Sequence, residues 1–118
     1  MQIAMKARGF PLTEALKIHT HARLCFTLAH AADRIRCVGV RLSDINGPRG
    51  GVDKRCLVEV RLDGLPTVVI EDIQTDMYTA VDRAVGRAAR TVMRRLEHGM
   101  SKRRQGLRQQ SHHDSTGL

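Results

Sequence analysis

Residues 2 to 8 alternate, with Ile3, Met5 and Ala7 on one side and Gln2, Lys6 and Arg8 on the other. Alternation of this kind predicts a short strand with one buried face. Gly9-Phe10-Pro11 interrupts it. Thr13 then stands where a helix wants an N-cap, and Glu14 suits the positive end of the helix dipole. The helix is predicted over Glu14 to Ala31, with Leu16, Leu24 and Leu28 on a core face. Ile18, Cys25 and Phe26 blur the periodicity and leave its orientation open.

A second strand is predicted over Arg36 to Leu42, with Val38, Val40 and Leu42 inward. A glycine-rich connection, Asn46 to Gly51, leads to a third strand in which Cys56, Val58, Val60 and Leu62 alternate with polar positions. Asp63-Gly64 is a tight-hairpin signal, and Thr67 to Ile73 follows as a fourth strand. A two-residue turn sets Val69 on the face of Val58. A longer one sets Val68 and Ile70 there, and the sequence leaves the register open.

The last helix carries the clearest pattern. Asp76 caps it, and Val81, Ala84, Val85, Ala88, Val92 and Leu96 recur at three- and four-residue steps. At about 100° per residue these positions form one stripe. The resulting order, β-α-β-β-β-α, belongs to the α+β class: a four-stranded mixed sheet with two helices packed on one face. The helical crossover between strands one and two makes that pair parallel. The other sheet face is left open to solvent. Residues 1–97 are expected to form this domain and residues 98–118 a basic, disordered tail, because the chain turns polar beyond Gly99.

Charge changes the picture. The chain has 20 Lys plus Arg against 12 Asp plus Glu, a formal net charge of +8. Nine of the basic residues lie between Arg83 and Arg108, with Glu97 the one acid among them, so this segment holds the entire excess. Arg83, Arg87, Arg90 and Arg94 repeat along the last helix on the side opposite the apolar stripe. A merely solvated face would mix signs, since like charges at i,i+4 repel. A row of guanidinium groups, each able to grip a phosphate through two bonds, fits a polyanion. Arg87 and Arg90 are both expected to be exposed and dispensable for folding. Arg49, Lys54 and Arg55, in or beside the glycine-rich connection, form a weaker second candidate group.

Other chemistry finds little support. The apolar runs reach only about three residues, as in Val68-Val69-Ile70, whereas a membrane helix needs roughly 20. The N-terminus lacks the apolar core of a secretion signal. Cys25, Cys37 and Cys56 are widely spaced without a C-x-x-C pair and read as reduced, space-filling thiols of a cytoplasmic protein. His19 and His21 point in different directions on a helix, and His112-His113 fall in the tail, so no metal site is expected. The connection lacks P-loop spacing, and no nucleophile–base pairing or carboxylate pair can be argued. No catalytic residue, cofactor or small-molecule substrate is expected. Two Phe, one Tyr and no Trp are too few for base stacking and favour recognition of folded RNA through backbone and shape.

The segment Asp76-Met77-Tyr78-Thr79-Ala80-Val81-Asp82-Arg83-Ala84-Val85 resembles the D-M-Y-x-A-(I/V)-D-x-A-V signature of the ribosome hibernation promoting factors, a family that includes the ribosome-associated inhibitor and the sigma-54 modulation proteins. Leu12 to Leu16 is similar to the start of that family's first helix, and Asp33-Arg34-Ile35 to its entry into strand two. The resemblance spans roughly residues 1 to 97. It implies a fold like a double-stranded-RNA-binding domain preceded by a strand, and binding to the small ribosomal subunit in the mRNA and tRNA channel, silencing translation under stress. It carries family basic positions onto Arg87, Arg90 and Arg94, with Arg83 and Arg95 beside them, and leaves Lys17 and Arg23 as the candidates on the first helix. That helix departs from the family in having His19, Thr20, His21 and Phe26, and the Asn46–Gly51 connection differs as well. Long members carry a second domain where this chain has a basic tail. The expected partner is therefore the small subunit and its rRNA. A general RNA- or DNA-binding module and a protein adaptor using the open sheet face stand as alternatives, with the oligomeric state open.

Overall fold

The computed structural model describes residues 1–45 and 52–112, with side chains as far as Gly99. The chain runs β1 (Gln2–Arg8), α1 (Glu14–Thr27), a 3-10 turn (Ala29–Arg34), β2 (Ile35–Asp44), β3 (Lys54–Leu62), β4 (Val68–Gln74) and α2 (Met77–His112). The sheet order is β1-β2-β3-β4, with β1 parallel to β2 and the other pairs antiparallel. This is the expected α+β architecture.

The core lies between the sheet and the two helices. Val38, Val40 and Leu42 of β2 and Cys56, Val58, Val60 and Leu62 of β3 are buried against Leu16, Leu24 and Leu28 and against the α2 stripe from Ala80 to Leu96. Thr20 is buried beside the α1 leucines, whereas Ile18 and Phe26 are 61% and 77% exposed, which settles the orientation of α1. Thr13 Oγ1 accepts from the Leu16 amide, and Asp76 Oδ2 accepts from the Thr79 amide at 2.9 Å, so both expected N-caps are in place. α1 ends at Thr27, earlier than its apolar pattern indicates. The Thr27 hydroxyl donates back to the Arg23 carbonyl, and the chain tightens into the 3-10 turn.

Five residues, Asp63 to Thr67, connect β3 and β4. Val60 therefore pairs with Val68, which faces the core with Ile70, and Val69 points out. Gly64 takes φ +70°, a left-handed conformation that suits glycine. Gly9 is held more tightly: its φ is +86°, and a Cβ there would sit 3.1 Å from the Asp44 carbonyl.

α2 continues beyond Gly99 as far as His112. Its Lys, Arg and Gln are good helix formers, and Gly106 alone costs only about 1 kcal/mol. Cys25 is exposed on α1 and not a space-filler, its Sγ 3.5 Å from His21 Nδ1. Cys56 does fill space. Burial, and then the Asp72 charge, push its thiol up to about 12. No helix among the described residues is long and apolar enough to cross a membrane.

Candidate nucleic-acid interface

The apolar stripe of α2 locks onto β3 and β4, which turns Arg83, Arg87, Arg90 and Arg94 to the solvent side of the helix layer, all exposed. Their surroundings divide the row in two. Asp72, at the edge of β4, faces the first half. Arg83 Nε lies 3.8 Å from Asp72 Oδ2, and Arg87 Nη1 donates to the same oxygen at 3.2 Å and to the Glu71 carbonyl at 2.9 Å. Arg87 thus fastens α2 to β4 and is not the free surface residue its helical position indicates. Arg90 makes no ion pair among the described residues, and Arg94 reaches only the Thr91 hydroxyl, at 3.3 Å. With no acid to relieve their i,i+4 repulsion, Arg90 and Arg94 are the end of the row with most to gain from an added anion.

Arg94 borders a surface groove of about 450 Å³ formed by Leu65, Pro66, Thr91, Arg95, His98 and Gly99. Arg95 forms its structural wall: Nη1 donates to the Pro66 and Thr67 carbonyls at 2.8 and 3.0 Å, clamping the β3–β4 connection to α2.

The remaining candidates fall in different places. Lys17 is exposed on α1. Arg23 lies between the helices, its Nε 3.4 Å from Asp82 Oδ1, an oxygen that also binds His19 Nε2 at 2.7 Å. The His19 ring meets Tyr78 edge-on, with centroids 4.9 Å apart, completing the α1–α2 link. Lys54 is enclosed by carboxylates, 2.7 Å from the buried Asp53 and 3.3 Å from Asp44. The Asp53 hydrogen bond raises its pKa above the usual value, against desolvation and with help from Asp44. It ties the ends of β2 and β3 together. Arg55 lies on the opposite face of the sheet, paired with Glu71. Arg49 is outside the described residues. The structure therefore brings together the four α2 arginines and separates Lys54 and Arg55 from them.

Asp72 and Asp82 are the residues that sequence reasoning missed. Each controls cations far away in the chain, and no local spacing signals such a pairing.

This geometry sits on a fold with known relatives. The family model described as sigma 54 modulation protein / S30EA ribosomal protein matches residues 3–98. The crystal structure of the Thermus thermophilus Protein Y N-terminal domain is similar at TM-score 0.66 and 27% identity, covering 80% of this chain and 98% of that one. A ribosomal subunit interface protein from Coxiella burnetii shares the fold at TM-score 0.66 and 21% identity, covering 80% and 96% of the two chains. The search of curated proteins gives no match. With the family model covering most of the chain and the α2 row on the matching fold, this protein belongs to the sigma 54 modulation protein / S30EA ribosomal protein family.

Proposed function

We propose that this protein is a non-enzymatic, ribosome-associated hibernation factor. It binds small-subunit rRNA in the mRNA and tRNA channel and excludes both ligands from it. The observation that carries this reading is the arginine row on α2: four guanidinium groups on one exposed helix face, two of them without an acidic partner among the described residues. Family membership supplies the ribosomal context, and the likeness of the Asp76–Val85 segment to the hibernation factors supplies the small subunit. The physical mechanism is displacement of counterions from rRNA phosphates by the row, with Arg90 and Arg94 making the principal contacts and Arg83 and Arg87 reinforcing them. Lys17, exposed on α1, is a further candidate contact for the same rRNA.

Co-sedimentation with purified small subunits, with unrelated duplex RNA as competitor, tests the reading. Saturation near one protein per subunit that resists competitor is the expected result. Binding that competitor abolishes assigns the protein to generic nucleic-acid binding, and no binding at low salt overturns the role of the row.

A further inference from the structure

The face of the sheet turned away from the helices carries a basic cluster that the α2 row does not include. Ala7, Leu42 and Cys56 point to the core, so their strand neighbours Lys6 and Arg8 of β1, Arg41 of β2 and Arg55 of β3 point to the open side. The register gathers them. Lys6 is the Cα partner of Arg41, and Arg8, Ser43 and Arg55 form the adjoining cross-strand row. Together with Leu57 they line a concavity of about 390 Å³. Arg55 is paired with Glu71, but Lys6, Arg8 and Arg41 make no ion pair among the described residues.

Two features of this cluster point to a ligand. Like charges directly opposite one another destabilise a sheet, so Lys6 beside Arg41 is a cost that an anion would relieve. The depression also continues along the sheet. Next to Lys6 and Arg41 come Ala4 and Gly39, partners with almost no side chain, which extend the floor by a further hollow of about 200 Å³ as far as Glu59. From Ser43 to Gly39 the trough is roughly 13 Å long at about 3.3 Å per strand residue. It is open, shallow and basic at one end, a shape suited to an extended polyanion and not to an enclosed small molecule.

We propose that this trough holds the phosphodiester backbone of a single-stranded RNA segment laid along β2, with Lys6, Arg8 and Arg41 on its phosphates and Ser43 as an additional hydrogen-bond donor. The proposal rests on the ribosomal reading above and deepens it: the domain is gripped from both faces, α2 by one stretch of rRNA and the open sheet by another. A partner that engages both faces must enclose the domain. A flat duplex reaches only one of them.

Two measurements test this. In the first, a short oligouridylate is titrated into the isotopically labelled full chain. Amide shift changes at residues 4–8 and 39–43 are expected, and changes confined to α2 would overturn the proposal. In the second, the double variant Lys6→Ala/Arg41→Ala, checked by its amide spectrum and cooperative urea melt for an intact fold, is compared with wild type for binding to small subunits and to duplex RNA. Subunit affinity should fall about tenfold and the salt slope by roughly 1.5, with duplex binding by α2 unaltered. Wild-type affinity of the folded variant for subunits overturns the two-faced grip while leaving the α2 assignment intact. Failure of wild-type protein to bind subunits strikes the ribosomal reading instead, and the oligouridylate titration then decides the trough by itself.

Discussion

The two basic surfaces of this domain are built in opposite ways. On α2 the arginines come from one continuous segment, repeat every three or four residues, and are half neutralised by Asp72 from β4. On the open face the clustered cations Lys6, Arg8, Arg41 and Arg55 come from strands far apart in the chain and share no local period, and among the described residues Arg55 is the one of the four in an ion pair. A charge run visible in the sequence therefore overstates how much free charge the fold presents there. A cluster invisible in the sequence can present more. The partner of each arginine, more than its position on a helical wheel, decides whether it remains available to a phosphate.

The largest expected effect comes from the layer that separates the two surfaces. Leu42 is buried on β2 between the open-face residues Arg41 and Ser43. Leu42→Ala should lower unfolding free energy by about 2–5 kcal/mol, read from urea melts, and weaken both surfaces together. An unchanged midpoint would contradict its place in the core.

The same layer is sensitive to alkali. Cys56 has its pKa raised to about 12 by burial first and Asp72 second, so the folded state holds its proton more tightly than the unfolded chain does. Its stabilising contribution is complete below about 9, the ordinary thiol value, and declines as pH rises from there toward 12. The Lys54 pKa, raised by Asp53 and Asp44, acts in the same direction above 10.5. Cys56→Ala should flatten the pH dependence of the urea midpoint across that window. At neutral pH a maleimide should label Cys25 long before Cys56, and equal rates would refute the burial difference.

Within α2 the comparison sharpens between neighbours. Arg95→Ala removes the clamp on the Pro66 and Thr67 carbonyls and should cost about 1 kcal/mol of stability. Arg90→Ala should stay within about 0.5 kcal/mol. Equal melting temperatures for the two variants would show that the clamp contributes nothing. A smaller effect is expected from Asp72→Asn, which frees Arg83 and Arg87 from their acid: small-subunit affinity should rise about two- to fivefold, measured by co-sedimentation at fixed salt. No change would mean that the first half of the row lies outside the contact.

Much of the fold was legible because its signals are local. The α2 stripe, the caps at Thr13 and Asp76, and the alternation in β2 and β3 each depend on residues within a few positions of one another. What stayed hidden depends on distance. The β3–β4 register follows from a five-residue connection that Asp63-Gly64 does not specify. The orientation of α1 follows from packing that buries Thr20 and leaves Phe26 out. The site shows the same division. The α2 row was readable from spacing, but the anchoring of Arg87 and Arg95 to β4 and its preceding turn was not, and neither was the gathering of Lys6, Arg8 and Arg41 across strands.

The central claim, that the free half of the α2 row grips rRNA phosphates, is tested most directly by the salt dependence of small-subunit affinity for wild type and Arg90→Ala/Arg94→Ala. Both residues are exposed, and neither forms an ion pair among the described residues, so the variant should keep the wild-type fold. The account predicts weaker binding at every salt concentration and a log–log slope shallower by roughly 1.5, the loss of two phosphate contacts. A folded variant with the wild-type affinity and slope would contradict it.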